Sequence, residues 1–327
     1  MACAQMVVHM QILDQAQTER FLPFDRLLGA LEAMFVEGCN VPLRHNHRIG
    51  NPGGEDGTLL LMPAWQEGKR LGLKTVSIFS GNGAHALPGL HSTYTLFDGV
   101  TGRPLAALDG DVITSRRTAA ASALAARWLS RRDARTLLVV GSGRVASLLA
   151  DAYRSVRPIE TVLVWNLHEA GAQALVARLQ AAGIDARHAP DLEAAAREAD
   201  IISCATLSTA PLIKGEWLRP GVHLDLIGSF APAMRESDDE CFRWATVFVD
   251  TDEAPMKAGD ILEPVKSGAF DPQQIAATLE DLCRGQHAGR SSDTEITLFK
   301  AVGTALEDLA AATLAYDAWQ QQQQQPG

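Results

Sequence analysis

The chain has no C-x-x-C pair, and its five cysteines, Cys3, Cys39, Cys204, Cys241 and Cys283, are odd in number. That argues against a disulfide framework and predicts free thiols in a reducing cytoplasm. Positive charge is short: 29 Lys and Arg stand against 39 Asp and Glu, a formal net charge of −10. Nucleic acid and anionic membrane are therefore poor candidates for the main partner. No basic segment followed by a signal-length apolar core opens the chain, so no signal peptide is expected. No apolar run is long enough to span a bilayer. His45 and His47 share one face of an extended segment, but no third ligand is in view and no metal is expected.

What is present is bulk. The 327 residues, 46% of them hydrophobic, suffice for a large core and two domains. The most informative stretch runs from Arg135 to Asn166. Leu137 to Val140 is an apolar, β-branched run that suits a buried parallel strand. It ends in Gly141-Ser142-Gly143-Arg144-Val145-Ala146, followed by a helical pattern and a second strand at Thr161 to Trp165. In that order the glycines acquire physical roles. Gly141 permits a tight turn, Gly143 lets a pyrophosphate approach the backbone, and Ala146 is small enough for helix to pack on strand. The helix N-terminus adds free N–H groups and partial positive charge. A dinucleotide site is predicted.

The rest of the chain falls around this stretch. Met6 to Leu13 reads as a strand, Asp14 as the cap of a short helix, and Pro23 as the opening of a longer one. Leu27, Leu31 and Phe35 recur at one-turn spacing, and Gly38 is a stop. Residues 41–113 read as strands and turns, with candidates at Thr58–Met62, Leu73–Phe79, Ser92–Phe97 and Leu105–Leu108. They predict an antiparallel layer. Thr114 or Ser115 can cap an Ala-rich helix through Leu129. Helices at Glu169–Ala182 and Leu192–Glu198 alternate with strands at Ile201–Cys204, Val222–Ile227 and Val247–Asp250, a doubly wound α/β rhythm. A last helix is expected at Thr304–Trp319, with Gln320–Gln325 frayed. The predicted division is a Rossmann-like domain over 115–303 and an α+β domain from 1–114 plus 304–327.

At the end of the second strand, an acidic residue would hold the ribose hydroxyl of NAD. Asn166 stands there. Without the carboxylate, a 2′-phosphate meets no repulsion, and Asn166 could donate to it, with His168 or Arg144 nearby. NADPH is the expected cofactor, with NADH as the alternative. Asn166 could instead cap the helix at Glu169.

Asp109-Gly110-Asp111-Val112-Ile113-Thr114, followed by Arg116-Arg117-Thr118-Ala119-Ala120, resembles the ornithine cyclodeaminase/μ-crystallin family. So do Met62-Pro63-Ala64, Gly72-Leu73-Lys74 and Phe299-Lys300-Ala301-Val302-Gly303. The resemblance spans nearly the whole chain in the family's order. It implies a homodimer whose N-terminal β layer builds the substrate site and dimer interface. It also implies Arg44, Lys74 and Arg117 as catalytic residues around a substrate carboxylate, with Met62, Phe230 and Gly303 completing substrate binding. For the nucleotide it implies Arg117, Thr118, the Gly141–Ala146 turn, Asn166, Ala205, Thr206, Ser229 and Val302.

The residues themselves fit a carboxylate. An arginine fork binds it bidentately, and a lysine supplies a point charge and a proton. Lys74 lies on an apolar strand, where a buried ammonium needs a partner that a substrate carboxylate could supply. Arg44 could equally be a solvated strand residue, and Arg116 competes with Arg117 for the same role. Where the cyclodeaminase carries an aspartate that handles the substrate amine, this chain has Phe230 in Leu226-Ile227-Gly228-Ser229-Phe230. Phenylalanine cannot accept a proton, but it can pack on a flat ring or sit in the core. The form resembles the ketimine reductase branch, particularly the 1-pyrroline-2-carboxylate reductases of hydroxyproline breakdown. Reduction of that cyclic imine to L-proline, or of 1-piperideine-2-carboxylate to L-pipecolate, is the expected activity. The alternatives are an ornithine cyclodeaminase, an alanine dehydrogenase-type enzyme, and a μ-crystallin-like NADPH-dependent binding protein.

Overall fold

A computed structural model describes residues 10–324. Two compact units emerge: one is drawn from Met1–Ala30, Glu37–Arg117 and Ala305–Gly327, the other from Leu31–Val36 and Thr118–Thr304. The division falls inside a continuous helix, after Arg117. The boundary expected from the sequence, between positions 114 and 115, lies a few residues earlier in the same helix.

In chain order the described residues open with β1 (Gln11–Leu13), α1 (Gln15–Arg20) and α2 (Phe24–Glu37), of which Leu31–Val36 count with the second unit. Of the strand expected over Met6–Leu13, positions 6–9 lie outside the described residues. Asp14 caps α1 by accepting from the Gln17 N–H at 2.8 Å, and the Gln17 side chain returns a bond to the Asp14 N–H. Five strands follow: β2 (His45–Ile49), β3 (Gly57–Gln66), β4 (Arg70–Ile78), β5 (Leu90–Asp98) and β6 (Pro104–Asp109). The sheet order is β1-β6-β5-β4-β3-β2. β2 to β6 pair antiparallel, as expected, but β1 joins β6 in parallel. Side chains alternate across the sheet. On β4, Gly72, Lys74 and Val76 are buried, while Leu71, Leu73 and Thr75 are half-exposed.

The helix α3 (Gly110–Leu129) begins earlier than its hydroxyl residues suggested. Asp109 provides the cap, accepting from the Val112 N–H at 2.9 Å. Thr114 and Ser115 lie inside the helix and donate back to the carbonyls of Gly110 and Asp111. Ser and Thr have this second outlet for their hydroxyls, so they mark a helix start ambiguously.

The second unit then runs β7 (Thr136–Val140), α4 (Ala146–Arg154), β8 (Thr161–Trp165), α5 (Glu169–Ala181), β9 (Asp185–His188), α6 (Leu192–Glu198) and β10 (Ile201–Cys204). It continues β11 (His223–Leu226), α7 (Asp239–Trp244), β12 (Thr246–Val249), α8 (Ala254–Lys257), α9 (Gly259–Ser267), β13 (Ala277–Thr278), α10 (Leu279–Cys283) and β14 (Thr297–Lys300). All eight strands are parallel, in the order β13-β12-β14-β11-β10-β7-β8-β9. The chain winds outward from β7 through β8 and β9, then returns to β10 on the other side. The switch point between β7 and β10 is where open α/β sheets bind ligands, at the carboxyl ends of the strands. Buried Asp225 on β11 knits this unit together. It accepts from Ser122 of α3, Tyr153 of α4 and Ser203 of β10, and burial pushes its carboxyl up to about 6.

The chain ends in α11 (Ala305–Gln324), which packs on β3, β4 and β5. The fraying expected over Gln320–Gln325 is not seen in its described part, where the helix holds through Gln324; position 325 lies outside the described residues. Glutamine is a good helix former, and Gln320 donates to the Tyr316 hydroxyl at 2.9 Å.

Candidate active site

The sheet of the first unit brings the expected residues Arg44, Met62 and Lys74 to one level, beside Tyr94, which was not expected there. Met62, Lys74 and Tyr94 face one another across β3, β4 and β5. His45 pairs with Leu61, so one step back along that register sets Arg44 at the level of Met62. Arg44 is half-buried just ahead of β2. The Lys74 side chain is 3% exposed. Tyr94 closes the row, and its hydroxyl lies 1.8 Å from where a Cβ on Gly72 would stand. Only glycine fits there. Burial, reinforced by Asp308, raises the Tyr94 phenol well above its usual range.

The partner of Lys74 is Asp308 of α11, with Nζ 2.6 Å from Oδ2. This corrects the expectation that substrate alone would satisfy the lysine. Asp308 Oδ1 accepts from Arg117 Nε at 2.9 Å, and Glu307 Oε2 accepts from Arg117 Nη1 at 2.5 Å. Two cations and two carboxylates are thus buried together. Burial pulls the Lys74 ammonium down, Asp308 pulls it back, and Arg117 opposes it; the outcome is about 8. Burial would raise the Asp308 carboxyl, yet Lys74 and Arg117 hold it below its ordinary value. Burial also disfavours the Arg117 charge, but Asp308 and Glu307 more than offset this and raise its pKa. Arg116 is elsewhere engaged, donating to the Leu22 carbonyl at 2.8 Å and lying over the Phe24 ring.

In the second unit the glycine turn lies at the switch point. Gly141 has φ +117°, and a Cβ there would come within 2.6 Å of the Ala205 carbonyl. A Cβ on Gly143 would meet nothing within 4 Å, which leaves its backbone open to an approaching group. Ala146 is buried at the first turn of α4; Arg144 is exposed, and Ser142 and Val145 are half-exposed. This geometry fits a dinucleotide pyrophosphate. Asn166 donates to the His168 carbonyl at 2.9 Å, while His168 itself is the N-cap residue of α5. Thr118 is half-exposed on α3.

Two carboxylates that sequence reasoning missed hold the surrounding loops. Glu236 Oε1 accepts from the Thr206 N–H and hydroxyl at 2.7 and 2.8 Å, and its Oε2 accepts from the Gly228 N–H at 2.6 Å. It ties the loop after β10, which starts at Ala205, to the loop after β11. Burial, partly offset by Lys300, pushes its carboxyl up to about 7. Asp250 Oδ2 accepts from the N–H groups of Val302 and Gly303 at 2.7 and 2.6 Å, joining the loops after β12 and β14. Ser229 is buried and donates to the Met234 carbonyl at 2.6 Å. Phe230 is 50% exposed and is not a core residue. Cys204 is fully buried, and burial raises its thiol well above the usual range, which suits packing rather than nucleophilic attack. Among the described residues, no group of three His, Cys, Asp or Glu is placed to hold a metal, and no helix is long and apolar enough to cross a membrane.

The chain is similar to known proteins over most of its length. The model of the ornithine cyclodeaminase/mu-crystallin family matches residues 8–323. A Delta(1)-pyrroline-2-carboxylate reductase of Paracoccus denitrificans is 41% identical over 263 residues, covering 80% of this chain and 83% of its own. The Thermococcus litoralis Delta(1)-pyrroline-2-carboxylate reductase, solved with NADH and L-proline, superposes with a TM-score of 0.89 at 32% identity, covering 96% of this chain and 98% of its own. An archaeal alanine dehydrogenase dimer with bound NAD gives 0.87 at 31%, covering 96% and 97%. With a match over nearly its whole length and relatives of this identity and coverage, the chain belongs to the ornithine cyclodeaminase/mu-crystallin family.

Proposed function

We propose that this protein reduces cyclic ketimines, converting 1-pyrroline-2-carboxylate to L-proline and the six-membered 1-piperideine-2-carboxylate to L-pipecolate. The observation that carries the reading is the buried Lys74–Arg117 pair, with a lysine whose proton is held near pH 8. The relatives named for this reaction support it. Arg44, Arg117 and Lys74 bind the substrate carboxylate, and Lys74 or a water beside it keeps the imine nitrogen protonated. A protonated imine accepts hydride at carbon, giving the neutral secondary amine. The nicotinamide supplies that hydride when bound. Phe230 is exposed and has no carboxylate to manage an ammonium, which speaks against deamination. The test is cofactor oxidation with the cyclic imine, with pyruvate plus ammonia, and with ornithine. Oxidation with the imine alone is expected. Ammonia release from ornithine without net cofactor consumption would replace this reading with a cyclodeaminase.

NADPH is the preferred cofactor in this reading, because Asn166 brings no negative charge to the ribose. Asn166→Asp should therefore move the NADPH-to-NADH ratio of kcat/KM toward NADH by about tenfold or more, through repulsion of the 2′-phosphate. An unchanged ratio would remove Asn166 from cofactor selection.

The first unit binds substrate and the second binds nucleotide in this assignment. The first also dimerises: Leu59, Leu61, Leu71 and Leu73 form a half-exposed apolar face on β3 and β4, opposite the Lys74 row, and such a surface suits a second copy. The cysteine usage supports a cytoplasmic setting.

A further inference from the structure

An acidic protein has gathered five arginines around one cavity. Arg127, Arg131, Arg132, Arg157 and Arg290 line a space of about 500 Å³ in the second unit. Only Asp133 and Asp293 oppose them on its wall. The cavity lies at the amino end of the parallel sheet. Arg131 and Arg132 sit in the turn that leads into β7, and Arg290 reaches the Val222 carbonyl and the Thr297 hydroxyl at the starts of β11 and β14. The Gly141 turn is at the other end of β7, and a five-residue strand separates them by roughly 13–16 Å.

Part of this charge has an internal use. Arg157 donates to the carbonyls of Ala126, Arg127, Ser130 and Arg131, the C-terminal end of α3. Arg290 donates to the Leu129 carbonyl at 2.7 Å. Both complement the negative pole of the helix; Glu295 and Asp293 also act on Arg290, whereas among the described residues no carboxylate acts on Arg157, and carbonyls do not neutralise its full charge. Arg127 pairs with Glu32 and Arg131 with Asp133 and Asp200. Arg132 is exposed and makes no ion pair among the described residues. Burial, together with Arg132, Arg127 and Arg290, pulls the Arg157 guanidinium down to about 10, the mark of crowded like charge.

We propose that this cavity binds an oligophosphate-bearing anion at a site separate from the dinucleotide turn. Guanidinium forks match phosphate oxygens in pairs. The excess of arginine over aspartate suits a di- or triphosphate better than a single phosphate. A volume of this order is that of small-molecule sites. Half-buried Trp128 on the same wall offers a ring for a base to stack on.

Calorimetry at fixed ionic strength tests this, using the full chain saturated with NADP⁺ so that the dinucleotide turn is occupied. Tripolyphosphate should bind at least about tenfold more tightly than orthophosphate. ATP binding as tightly or more tightly identifies a nucleotide as the occupant, whereas exclusion of ATP identifies a free oligophosphate; both support the site. Arg132→Glu, at an exposed position, should weaken tripolyphosphate at least about tenfold and leave imine reduction within about twofold. Arg187→Glu, on the exposed edge strand β9, should leave tripolyphosphate affinity unchanged. No binding in the presence of NADP⁺, or equal weakening by the two charge reversals, overturns the proposal.

Discussion

Replacing Lys74 with methionine should lower kcat/KM for the cyclic imine by about 10³-fold while leaving dinucleotide affinity within about twofold. Methionine keeps most of the apolar stem, so the loss reports the ammonium rather than a cavity. In the proposed mechanism Lys74 contributes twice, as a charge on the substrate carboxylate and as the proton source at the imine nitrogen. A proton transfer of this kind accounts for about 10²–10⁴ in rate. The wild-type pH profile gives an independent reading. The free protein holds this proton with a pKa of about 8. The acid form is the competent one, so kcat/KM should be level below that value and fall as pH rises through it. Lys74→Met should abolish that alkaline limb. Asn166→Ala, at the position proposed to face the nucleotide ribose, should cost far less. Equal losses at the two positions, or an alkaline limb that survives in Lys74→Met, would remove Lys74 from the chemistry.

How much of this could be read from the sequence depended on the range of the interaction. The β7–Gly141–α4–β8 unit was legible because every part of it is local: a buried run, a turn that needs φ > 0 and a small residue at the helix start. Lys74 was legible because an ammonium within an apolar strand is costly wherever the strand goes. Its partner was not. Asp308 lies more than 200 residues away in a helix whose neighbours Leu306, Leu309 and Ala310 read as an ordinary core stripe. The available signal was the acidic pair Glu307-Asp308 inside that stripe, since two carboxylates on a buried face require two cations. β14 escaped because Thr297–Lys300 has only four residues and ends in lysine. It is nevertheless an interior strand, and buried Lys300 is satisfied by the Leu226 carbonyl at 2.9 Å. Glu236 and Asp250 were invisible for a similar reason. They bond to backbone N–H groups of distant loops, which no side-chain pattern announces.

Asp308→Asn should destabilise the protein by about 3–5 kcal/mol and shift the alkaline limb of kcat/KM below pH 8. The substitution keeps the shape and removes one charge, so Lys74 and Arg117 remain buried with only Glu307 against them. Among the influences on Lys74, Asp308 is the largest that favours its protonated form. Without it, burial and Arg117 act with less opposition, and the ammonium loses its proton at lower pH. Glu307→Gln supplies the contrast. Glu307 acts mainly on Arg117 and only weakly on Lys74, so that variant should lose stability with a smaller movement of the limb. The sign of the stability change with pH follows from Asp308 itself. Its folded pKa is depressed below the ordinary value of 3.8, so it contributes stability above that pH, and the contribution disappears as pH falls through the folded value. Urea unfolding of the wild type and Asp308→Asn should therefore differ most near neutrality and converge in acid. If Asp308→Asn unfolds more easily but keeps the wild-type limb, the carboxylate only holds the fold together. If the limb moves, the same carboxylate sets the pH at which the lysine can give up its proton.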